Sequence, residues 1–128
     1  MLLSIKTITA ASIHLGKIFS TDVKATVAFK LKHNMSAVEK VLKDFDATKK
    51  ALIERLCDKN EAGEPIIKDN AYSFTDPVIA KCFHDEHDEL LKQEVEVDIK
   101  TVPMAAFEKA EISAAALFAC EFMIVDNA

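Results

Sequence analysis

The densest run of chemically capable side chains in this 128-residue sequence is His84-Asp85-Glu86-His87-Asp88-Glu89. On a helix, His84, His87 and Asp88 share one face at i, i+3 and i+4. Two imidazoles and a carboxylate at that spacing can reach a single divalent cation. A complete site needs a further ligand, and His14 and His33 are the remaining histidines. The run departs from the HExxH signature, because Asp follows His84 and the second His comes one position early. Acidic helices often carry residues of these types as a solvated face, and that reading outweighs the metal one. On it, His87 is an exposed helical side chain, and His87→Ala is expected to leave stability nearly unchanged.

Other reactive types are present but dispersed. Glu94, Glu96 and Asp98 alternate with Val95, Val97 and Ile99, which is the outward, charged side of a half-buried strand and protects a sheet edge without chemistry. Cys57, Cys82 and Cys120 are odd in number and far apart, the pattern of reduced thiols and not of a disulfide framework. Cys82 and His84 stand at i, i+2 and point apart on a helix. No Gly-rich phosphate loop and no nucleophile elbow occurs. The aromatic residues fall mostly at core spacing, and Phe29, Phe45, Phe107, Phe118 and Phe122 read as core. The expectation is a protein that is not an enzyme and needs no cofactor.

The elements that must position these groups follow from composition and periodicity. Half of the residues are apolar and 29% are charged, with two glycines and three prolines, the balance of a globular chain rich in regular structure. No window reaches the roughly 18 apolar residues of a membrane span. The N-terminal apolar run has no basic leader, so no secretory signal is expected and an intracellular location, the cytoplasm of a host cell, is. The net charge of −5 is unevenly spread: residues 1–57 carry ten Lys/Arg against five Asp/Glu, and residues 58–98 carry four against twelve. The acidic stretch disfavours nucleic acid as a partner. The two halves are expected to face each other, within one chain or across a dimer.

Residues 1–6 read as a short strand, with Thr7 or Thr9 as N-cap of a first helix. Apolar side chains then recur at Val23, Val27, Leu31, Met35, Val38, Leu42, Phe45, Ala51, Leu52 and Leu56, mainly in steps of three and four. The pattern predicts a long amphipathic helix over 22–58, with a break allowed near His33-Asn34. At 1.5 Å per residue such a helix is roughly 54 Å long, whereas a compact domain of this size is only about 36 to 40 Å across. Self-association through the 22–58 helix is the economical way to cover its stripe, so a homo-oligomer is expected.

Gly63 and Pro65 end that helix. A hairpin turning at Asp69-Asn70 follows, then a helix with Pro77 at its first position and Val78, Ile79, Phe83, Leu90 and Leu91 as its apolar face. Residues 64–100 thus read as a hairpin–helix–strand unit ending in the strand Glu94–Lys100. Met104–Lys109 reads as a helical turn or loop, and residues 111–125 as a buried C-terminal helix. The fold class is α+β and predominantly helical, one domain over 1–128, with a small antiparallel element. Val27, Leu31, Val38, Leu42, Phe45, Leu52, Phe83, Leu90, Val97, Ile99, Leu117 and Phe122 form its expected core.

Three stretches carry a resemblance: Glu61-Ala62-Gly63-Glu64-Pro65-Ile66, the Glu-Leu-Leu-x-x-Glu-Val-Glu-Val-Asp-Ile block from Glu89 to Ile99, and Glu111-Ile112-Ser113-Ala114. With the long helix, they resemble a family of small proteins of tailed bacteriophages and prophages over about half of the chain. The resemblance implies an intracellular product of infection with no assigned enzyme activity and no site residues to carry over. It suggests a self-associating, non-enzymatic binding protein directed at a host defence protein or a nucleotide-like signal. The alternative is a virion or assembly accessory, such as a scaffold, chaperone or head–tail protein. A metal-dependent enzyme built on His84, His87 and Asp88 ranks last.

Overall fold

The computed structural model describes residues 1–108 and 110–126. In chain order the first elements are β1 (Leu2–Ser4), α1 (Ile5–Phe19), α2 (Ala25–Leu56), β2 (Ile67–Lys68) and β3 (Ala71–Tyr72). They are followed by α3 (Pro77–Lys92), β4 (Glu94–Glu96), β5 (Val102–Pro103), α4 (Ala114–Ala119) and β6 (Ile124–Val125). The class is α+β and predominantly helical, as its periodicities predict. Contacts divide the chain into two compact units, Met1–Leu42 with the segment from Glu94 onward, and Lys43–Gln93. The segment 64–100 is divided between these two packing units.

The first unit holds the larger core. From α1 it takes Ile8, Ala11, Leu15 and Ile18, and from α2 Val27, Leu31 and Val38, all at steps that return to one helix face. Val97, Val102, Phe107, Ala116, Cys120 and Met123 close it. β1 and β4 pair antiparallel with Leu3 opposite Val95, and β5 and β6 pair parallel with Val102 opposite Ile124. The N-cap of α1 is Ser4, not Thr7 or Thr9: its hydroxyl accepts the Thr7 N–H at 3.1 Å where the extended strand ends. Residue α2 begins with is Ala25, and the helix runs through His33-Asn34 without a break.

Two further expectations are corrected here. The ladder of β4 ends at Glu96, although Val97 and Ile99 still turn inward and Glu94, Glu96 and Asp98 outward. The C-terminal helix is only six residues long. At Cys120 the backbone leaves helical geometry (φ −108°, ψ 17°), and a 3₁₀ turn over Glu121–Met123 delivers the chain to β6. Only Ala116, Cys120 and Met123 of that stretch are buried, and Phe118 is 75% exposed. Met104–Phe107 forms the expected helical turn, and Lys109 lies outside the described residues.

The second unit is built from the later turns of α2, the β2–β3 hairpin and α3. Gly63 takes φ +79°, the left-handed conformation, and it does so beyond the helix end at Leu56, in the turn where its N–H donates to the Asn60 carbonyl at 3.0 Å. Asp69 and Asn70 both take positive φ, 52° and 63°, which makes the two-residue turn whose twist suits a hairpin. Asp76 caps α3 by accepting the Val78 N–H at 2.9 Å, with Pro77 next. No residue of α3 is fully buried. Phe83, Leu90 and Leu91 are half-buried, whereas Val78, expected on the inner face, is 71% exposed.

Candidate functional site

The helical spacing of His84, His87 and Asp88 is realised on α3, but the three side chains do not converge. His87 is half-buried between aromatic rings, its centroid 5.7 Å from Phe83 at an interplanar angle of 28° and 6.1 Å from Phe45. Its Nε2 is buried without a hydrogen-bond partner. His84 is exposed and tilts over Phe83 at 5.6 Å, and Asp88 is exposed. Phe83 also stacks on Phe74 at 5.1 Å. The imidazole of His87 therefore extends an aromatic layer in place of joining a ligand set. Among the described residues no three His, Cys, Asp or Glu side chains gather around one point. The candidate further ligands belong to the other unit, where the Nε2 of His33 lies 2.9 Å from the Asp98 carbonyl and 3.3 Å from its carboxylate.

Burial holds the His87 imidazole below its ordinary pKa, the positive charge of Lys49 adds to that, and Asp88 opposes it. A neutral ring is the form this packing favours. The expected insensitivity of stability to His87→Ala does not fit a ring stacked on Phe83 and tilted against Phe45, because its removal opens a gap against both.

Next to this layer, Arg55 of α2 meets Glu86 of α3: its Nη2 donates to both carboxylate oxygens, at 3.0 and 2.8 Å. The pair stands over an open groove of about 330 Å³ floored by Thr48, Ala51, Leu52 and Leu90. Arg55 is the chain's single arginine, and its charge is paired with this carboxylate through Nη2. Here a cation of the basic half of the sequence meets an anion of the acidic half, as the N-terminus of Met1 does with Glu96 in the first unit.

In the first unit the opening turns of α2 carry a surface that sequence reasoning missed. Phe29, expected in the core, is 78% exposed beside Ala25, Thr26 and Lys30. The signal was available: Val23, Val27, Leu31 and Met35 define the buried stripe, and Phe29 lies off it. A cleft of about 580 Å³ opens beside the same turns, lined by Val23, Val27, Pro103, Ala105 and Ala106, with Asp22, Lys24 and Glu108 among its polar groups. Cys57 and Cys120 are buried, Cys82 is exposed, and none is disulfide-bonded. No described helix is long and apolar enough to cross a membrane. No protein-family model, curated protein or solved structure matches this chain.

Proposed function

We propose that this chain is a non-catalytic binding protein of the tailed-phage type, which self-associates through the outward face of α2 and acts in the host cytoplasm on a protein of host defence. The observation that carries the self-association is the exposure of Phe29, a large apolar side chain 78% open to solvent beside Ala25, Thr26 and Lys30. A phenyl ring in water forgoes about 1.5–3 kcal/mol of burial, which a second protein surface can supply.

Between a protein target and a nucleotide signal, the charged groups support the protein. Capture of phosphates calls for free cations converging on one pocket, ideally with a guanidinium fork. Arg55 is paired with Glu86, and the cleft near Phe29 sets Lys24 against Asp22 and Glu108. The acidic α3, with Asp85, Asp88 and Glu89 exposed, offers a basic protein surface complementary charge.

Native mass spectrometry of the wild-type chain and of Phe29→Glu tests this reading. A discrete wild-type oligomer that becomes monomeric on substitution is the expected result. A wild-type monomer throughout the micromolar range would overturn it. Affinity purification from infected cells addresses the partner: co-purification with capsid or tail proteins would assign the chain to virion assembly instead.

A further inference from the structure

Phe29 and the cleft beside it use opposite sides of one helix. The phenylalanine stands two residues beyond Val27, roughly 200° around an α-helix. Val27 is 8% exposed and lines the cleft, while Phe29 is 78% exposed. A projecting aromatic side chain and an apolar hollow are therefore carried by the same first turns of α2 and face different ways.

We propose that the cleft formed by Val23, Val27, Pro103 and Ala105 is the docking site for Phe29 of a second copy of this chain, so that copies join head to tail. This rests on the self-association reading and supplies its other half. The cleft, about 580 Å³, has room for a phenyl ring together with the aliphatic stem of the adjacent Lys30. Charge favours the same pairing: Lys30 flanks the projecting ring, and among the described residues the carboxylates of Asp22 and Glu108 stand at the cleft with Lys24. Docking Phe29 thus brings Lys30 toward two opposite charges.

The geometry also selects the symmetry. A two-fold dimer joins identical patches, and two Phe29 faces meeting each other would set Lys30 against Lys30. A ring-into-cleft contact joins unlike patches, leaving a free phenylalanine at one end and a free cleft at the other. Such a contact repeats until a ring closes or a filament grows.

The test uses two full-length variants that each retain one half of the contact. Phe29→Glu keeps the cleft and loses the ring, and Ala105→Trp keeps the ring and fills the cleft from an exposed position. Each is measured alone and in equimolar mixture by native mass spectrometry, with circular dichroism as the check on folding. Both variants alone are expected to be monomeric, and the mixture is expected to give a one-to-one heterodimer and nothing larger. If Ala105→Trp loses helical signal, Glu108→Lys replaces it, acting through charge and not through bulk. An oligomer that survives cleft substitution alone would overturn the head-to-tail contact while leaving self-association standing. Folded variants that stay monomeric when mixed would overturn it as well. A wild-type chain that is itself monomeric would defeat the functional reading and this proposal together.

Discussion

The side chain of Asn34 holds the backbone of Lys100 by both of its polar groups. Its Nδ2 donates to the Lys100 carbonyl at 2.9 Å, and its Oδ1 accepts the Lys100 N–H at 2.8 Å. Asn34 is fully buried, so the pair does in the first unit what a β-bridge would do, with a side-chain amide in place of a strand. It also explains why α2 continues through His33-Asn34: the asparagine's competing hydrogen bonds go to another segment and not to its own helix.

Asn34→Ala is expected to cost about 1–3 kcal/mol, because it removes two part-buried hydrogen bonds to the Lys100 backbone at once. Asn34→Asp is expected to be worse at neutral pH, since it sets a carboxylate against the Lys100 carbonyl. Hydrogen exchange locates the effect. The Lys100 amide should be protected in the wild type and lose most of that protection in both variants; unchanged protection would show that the pair does not hold this segment.

His87 makes the second unit sensitive to pH. Burial and Lys49 lower its pKa against the opposing pull of Asp88. The unfolded chain therefore binds the proton more readily than the folded one. The stability contributed by the neutral ring is complete above the ordinary value of 6.5 and is lost as pH falls from there through the folded value. Titrating the ring by NMR should place its midpoint below 6.5, and His87→Phe should flatten this part of the stability profile while keeping the stack. His87→Ala should cost on the order of 1 kcal/mol at neutral pH through the lost aromatic contacts.

The cysteines should separate by burial. Cys120 is enclosed, its Sγ 3.8 Å from the Ala11 carbonyl, and burial raises its thiol to about 11. Since the thiolate is the reactive form, a maleimide should label exposed Cys82 promptly in the folded protein and leave Cys120 and buried Cys57 untouched until denaturant is added. Early labelling at Cys120 would mean that α4 opens readily from α1.

What could be read in the sequence was local. Steps of three and four placed Val27, Leu31 and Val38 on the buried side of α2, and Gly63, Asp69-Asn70 and Pro77 marked turns whose backbone angles those residue types favour. What could not be read depended on distant partners. β4 pairs with β1, about ninety residues earlier, so the segment 64–100 could not be divided from its own pattern. The helix expected over 111–125 ends early because the chain after Cys120 joins β5, a pairing that an all-apolar stretch does not reveal. The placement of the His87 ring depended on a distant partner in the same way. Spacing set His84, His87 and Asp88 side by side, but Phe45, on another helix, gives the His87 ring an aromatic surface to pack on.

Asp58 ties the end of α2 to the hairpin and to the start of α3, and its titration should show it. Its Oδ2 accepts the Ser73 hydroxyl at 2.8 Å and the Thr75 N–H at 2.9 Å, while its main chain exchanges bonds with Ser73 and Ile66. The Ser73 hydrogen bond is the main reason its carboxyl lies below the ordinary 3.8; Thr75 and Lys68 add to it, and desolvation opposes it. With a lowered pKa the sign is that of a stabilising carboxylate: its contribution is complete above 3.8 and is lost as pH falls through the folded value. Asp58→Asn should therefore weaken the unit at neutral pH, with the difference from wild type shrinking in acid as the native carboxyl also becomes neutral. The chain's one tyrosine, Tyr72, lies in β3, and with no tryptophan present its fluorescence reports this hairpin directly during urea unfolding. Ser73→Ala should move the Asp58 titration, followed by carboxyl ¹³C shifts, back toward 3.8. An unmoved titration in that variant would assign the lowered pKa to some other group, and with it the acid sensitivity of the hairpin.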